Sequence, residues 1–117
     1  MSTKEFKGIP SIQEVECWGA GLKPELKLMS LKLFTNVDRA VLASVNVISN
    51  TCLTYTEFSS CFVDTLDTHK SRLRVLVSDL EEGESREYGC TALALRTTGD
   101  ASEFTWSALV SHRSEYG

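Results

Sequence analysis

The chain of 117 residues carries 12 Lys and Arg against 16 Asp and Glu, a formal net charge of -4. That balance excludes functions carried by attraction to a phosphate backbone, which need clustered cations. An apolar share of 42% is enough for one domain with a buried core, and it excludes wholesale disorder. No run of about 18 apolar residues is present to span a bilayer.

Taken in chain order, the pattern predicts strands. In Ser11–Trp18, Glu14 and Glu16 alternate with Val15 and Cys17, the period of a half-buried strand. Gly19-Ala20-Gly21 and Lys23-Pro24-Glu25 break it. Leu26–Phe34 sets Met29, Leu31 and Leu33 against Lys32; a helix is the alternative there, and the turn Asn36-Val37-Asp38 after nine residues favours a strand. Ala40–Ser49 alternates Val41, Ala43, Val45 and Val47 with Ser44 and Asn46. Thr51–Thr68 reads as a loop with one short strand near Ser60–Thr65. Arg72–Val77 alternates arginines with Leu73, Val75 and Val77. After the acidic turn Glu81–Glu84 come strands Glu87–Leu95 and Glu103–His112, the latter with Phe104, Trp106, Ala108 and Val110 on one face. About seven short strands with turn chemistry between them predict an all-β, two-sheet antiparallel sandwich. It forms a single domain over 1–117, with its core at about 12–112.

Four cysteines, Cys17, Cys52, Cys61 and Cys90, allow three pairings. None are spaced as Cys-x-x-Cys, so neither structural zinc nor thioredoxin-like chemistry is expected, and His69 and His112 read as solvated rather than metal-binding. Two readings stay open: free thiols in a reducing compartment, or two disulfides in an oxidising one.

Tyr88 stands two residues before Cys90, just after the turn containing Gly83, and Cys17 lies in the first strong strand. This arrangement resembles the immunoglobulin sandwich, in which a disulfide crosses the core and a tyrosine two places before the second cysteine turns its hydroxyl onto the preceding corner. The resemblance implies a Cys17–Cys90 bond, with Cys52–Cys61 left to staple the long loop that contains them. Two disulfides would place the protein outside the cell. The tryptophan expected about a dozen residues after the first cysteine is absent. Met29 and Leu31 stand there instead, Trp106 is the candidate to fill part of that volume, and Trp18 should face the other way.

Leu42-Ala43-Ser44-Val45-Asn46-Val47-Ile48-Ser49 resembles a strand of the divergent immunoglobulin-like domains of mollusc fibrinogen-related proteins. Val15 with Cys17, the Ser30–Leu33 segment, and Tyr88 with Cys90 agree with it, over roughly residues 12–112. That resemblance implies a secreted recognition module in innate immune binding of parasite or microbial surfaces. It transmits no ligand and no binding residue.

No catalytic motif, glycine-rich phosphate loop or cofactor signature is present, so no enzyme and no cofactor are expected. Asp67-Thr68-His69 reads as a turn rather than an acid–base pair. Two surfaces are candidates for a protein or glycan ligand. If Cys90 faces the core, Leu93 and Leu95 face outward, and the same parity sends Leu28 and Lys32 outward beside them. That strip, on the sheet face built from the strands at 26–34, 87–95 and 103–112, would serve a partner or a homodimer. The second is the turn bearing Arg96, Thr97, Thr98 and Asp100, in the position of a loop that sandwich proteins use for contact. Neither nucleic-acid binding nor membrane insertion is expected. The competing roles are a spacer or homodimerisation domain of a larger secreted protein, and an intracellular protein with free thiols.

Overall fold

A computed structural model describes residues 1–112. Nine strands, β1 (Ser2–Phe6), β2 (Ile9–Trp18), β3 (Lys27–Thr35), β4 (Val41–Asn46), β5 (Thr51–Thr54), β6 (Ser59–Phe62), β7 (Arg72–Val77), β8 (Ser85–Leu95) and β9 (Ala101–Ser111), follow one another with a single 3-10 turn at Thr68–Lys70 before β7. They form two sheets, β1-β2-β7-β6 and β5-β4-β3-β8-β9, and every strand pair is antiparallel. This is the strand order of a nine-stranded immunoglobulin-like sandwich, with two extra strands extending the second sheet.

Alternation builds the core. Val15 and Cys17 of β2 and Leu73, Val75 and Val77 of β7 face Leu31 and Leu33 of β3, Ala43 and Val45 of β4, and Tyr88, Cys90 and Ala92 of β8. The Cys17–Cys90 disulfide crosses between the sheets with a Cα separation of 5.5 Å. Leu33 and Trp106 stand directly opposite Cys90 on the two neighbouring strands. Trp106 is half-buried and packs against the core, so it supplies part of the volume beside the disulfide. Cys52 of β5 and Cys61 of β6 form the second disulfide. They do not sit in a loop: the bond ties the edge strand of one sheet to the edge strand of the other.

Leu28 departs from the expected parity. The pairing of β3 with β8 slips between Leu28 and Ser30, a bulge that takes Met29 out of register. One extra residue reverses every side chain before it. Leu28 therefore pairs with Ala94 and is fully buried, where simple alternation sent it to the surface. The polar segments Ser2–Phe6 and Thr51–Thr54, without apolar alternation, are strands nonetheless, and the short strand expected near Ser60–Thr65 lies at Ser59–Phe62.

Outside the core, the four-stranded sheet carries ion pairs across its outer face. Glu14, almost fully buried, lies between Arg74 at 3.1 Å and Lys4 at 3.5 Å, and Glu16 pairs with Arg72 at 3.0 Å. Each joins residues on adjacent or near-adjacent cross-strand positions, so the register itself places the charges together.

Candidate functional site

The connection between β2 and β3 and the turn between β8 and β9 lie at the same end of the sandwich and enclose a cleft of about 810 Å³. The turn is a tight one. The Arg96 backbone N–H bonds the Asp100 carbonyl at 2.8 Å, and Gly99, at φ 95°, takes the left-handed conformation that an L side chain resists. Thr98 donates its hydroxyl to the Asp100 carboxylate at 3.3 Å. Across the cleft, Gly21 at φ 70° reverses the chain, and the Leu26 N–H bonds the Lys23 carbonyl at 3.0 Å.

That second wall is braced from below. The 3-10 turn docks on it, with the Leu28 N–H donating to the Thr68 hydroxyl at 3.3 Å and His69 Nε2 bonding the Leu26 carbonyl. His69 is thereby a structural tie, and its neighbour Asp67 pairs with Lys70 at 3.8 Å. His112 Nδ1 lies 3.1 Å from the Leu80 carbonyl. Among the described residues no group of three or more His, Cys, Asp or Glu side chains is placed to hold a metal ion.

Phe104 and Trp106 form the apolar floor, stacked with centroids 6.4 Å apart and planes at 21°. Leu22 and Leu26 add to it. Around it stand Arg96 and Lys23 as cations, Glu25 and Asp100 as anions, and the hydroxyls of Thr97 and Thr98. An apolar base with a few convergent polar groups is the usual composition of a binding pocket. All four turn residues singled out from the sequence, Arg96, Thr97, Thr98 and Asp100, line it. The facing wall was not legible in the same way, because only the folded chain brings residues 20–26 to the side of β9.

The other candidate surface is fragmented. Leu93 stands between Ser30 and Glu103, and Leu95 between Lys27 and Ala101. Both leucines are half-buried, Lys32 is exposed between Ser44 and Thr91, and Leu28 lies inside the core. The predicted apolar strip is thus two leucines interrupted by polar and charged neighbours.

At the far end of β8, Arg86 bonds Asp79 at 3.0 Å and Glu84 at 2.8 Å. Hydrogen bonding to Glu84 raises the Arg86 pKa above its ordinary value, with the Tyr88 hydroxyl and Asp79 contributing in the same direction. Burial pushes the Tyr88 phenol up, against the opposing pull of the Arg86 guanidinium. The tyrosine thus meets the β7–β8 corner through an arginine rather than by itself. These groups form a fastening for the corner.

No protein-family model matches the chain, and no curated protein matches it.

Proposed function

We propose that the protein is a non-catalytic extracellular recognition module that binds its partner in the cleft between the β2–β3 connection and the β8–β9 turn. The observation that carries this reading is the cleft itself: a stacked Phe104–Trp106 floor beneath two cations and two anions, on walls held by the fold. Rigid walls limit the ordering cost of binding, and aromatic anchors supply most of the contact energy. Two disulfides support a position outside the cell, where such bonds persist. The likeness of Leu42–Ser49 to the fibrinogen-related proteins of molluscs extends the proposal to a secreted, innate immune role, with a microbial protein or glycan as ligand.

A spacer or homodimer role through the outer face of the five-stranded sheet has less support, because Leu93 and Leu95 make no continuous apolar patch. Binding to arrayed microbial glycans and surface proteins tests the cleft. Trp106→Ala and Arg96→Glu should each abolish a signal that Leu93→Glu leaves intact. A signal lost only with Leu93→Glu would move the site to the sheet face.

A further inference from the structure

β9 ends the five-stranded sheet, and its outer edge has no strand paired to it among the described residues. Which backbone groups point there follows from the hydrogen bonds at its two ends. The Arg96 N–H bonds the Asp100 carbonyl at 2.8 Å, and the His112 N–H bonds the Glu84 carbonyl at 3.1 Å. Between them the register runs unbroken from Leu95↔Ala101 to Ser85↔Ser111. In an antiparallel ladder bonded pairs alternate with unbonded ones. Even-numbered residues of β9 therefore turn their N–H and C=O groups to β8, and Glu103, Thr105, Ser107, Leu109 and Ser111 turn theirs to the open edge.

The other sheet edges are short or fastened. β1 has five residues, including Lys4 and Glu5, and β5 and β6 have four each and are bonded to one another by Cys52–Cys61. β9 has eleven residues, no proline, and Glu103 as its one charge. Proteins ordinarily blunt such an edge; among the described residues no strand pairs with this one, although β1 approaches β9.

We propose that β9 is a self-association site, at which two copies pair their β9 strands antiparallel about a two-fold axis at Ser107, joining two five-stranded sheets edge to edge. The strand is complementary to itself in that register. Glu103 meets Ser111, Thr105 meets Leu109, and Ser107 meets Ser107, all through outward backbone groups. On the inner face Trp106 stands opposite the half-buried Ala108, and Phe104 opposite Val110, which is already buried in its own core. No like charges are opposed. Ala101 and the β8–β9 turn stay outside the pairing, whereas Phe104, Thr105 and Trp106 belong both to the cleft and to the paired segment.

Sedimentation equilibrium on the intact protein, from micromolar to millimolar, tests it. The wild type should dimerise and Ser107→Ala should match it. Ser107→Pro, which deletes an outward N–H and leaves the ladder to β8 alone, should weaken association about tenfold or more. Amide exchange on the wild type needs no variant: Thr105, Ser107 and Leu109 should gain protection as concentration rises. A monomer at every concentration overturns the proposal, as does a dimer that survives Ser107→Pro, or one with no concentration-dependent protection at those three amides. A dimer abolished by Leu93→Glu but not by Ser107→Pro overturns it in favour of the sheet face.

Discussion

The ring of Phe34 lies over Gly89 so closely that a β-carbon built on the glycine would come within 2.4 Å of two ring atoms. The two residues are cross-strand partners on the outer face of the five-stranded sheet. The Arg39 guanidinium lies over the ring at 5.5 Å from its centroid, and Phe34 is 5% exposed. A glycine in a strand weakens it locally, and an aromatic neighbour laid across it restores the lost contact.

Gly89→Ala follows as the first prediction. Alanine would ordinarily gain a little in a strand by restricting the unfolded chain, but here the added carbon meets a ring with little room to move. The overpacking term wins, and the variant should lose about 1–3 kcal/mol in denaturant unfolding. In a Phe34→Ala background the same substitution should cost much less, and equal costs in both backgrounds would show that the ring is not the obstacle.

Leu28 and Leu93 separate the bulged register from simple alternation. With Leu28 fully buried, Leu28→Ala should cost about 2–5 kcal/mol. Leu93→Ala, at a half-buried outward position, should cost under about 1 kcal/mol. Thermal or urea melts of the two variants decide, and a reversed order would remove the bulge.

Most of this architecture was legible along the chain, and the exceptions have physical causes. β7, Arg72–Val77, stands where the alternation of arginines with Leu73, Val75 and Val77 put it. β1 and β5 escaped because Ser-Thr-Lys-Glu-Phe and Thr-Cys-Leu-Thr show no apolar period; these strands hold their place by pairing with β2 and β4. Leu28 escaped because a bulge leaves no mark on composition. The turn from Arg96 to Asp100 was visible from its chemistry, yet the cleft was not, since its other wall arrives from about 75 residues earlier through a docking contact of Thr68 and His69. Local period is written in neighbouring residues; concavity is written in the packing of distant ones.

Tyr88 gives the fold an alkaline limit. Burial holds its hydroxyl above the ordinary value near 10, so the folded state keeps a proton that the unfolded chain releases first. Its contribution is complete below about pH 10 and is lost as pH rises through the folded value. Tyr88→Phe should be less stable at neutral pH and show a flatter alkaline limb. Parallel alkaline limbs for wild type and variant would assign the loss to other groups.

The two disulfides should differ in weight. On the loop-entropy model, closing 73 positions is worth roughly 4 kcal/mol and closing nine roughly 2.5. Replacing Cys52 and Cys61 by alanine should leave a folded protein with a lower melting temperature. Replacing Cys17 and Cys90 should cost more, and a smaller loss from the core pair than from the edge pair would contradict the ranking.

Sulfur is bonded to sulfur through the middle of the sandwich, from Cys17 to Cys90. Alkylation of the unreduced protein followed by peptide mapping reads this directly. It should find no alkylated cysteine, and peptides joined as residue 17 to 90 and 52 to 61. Four alkylated thiols would contradict both the core and the extracellular role built on it, and Cys17 joined to Cys52 or Cys61 would contradict the core.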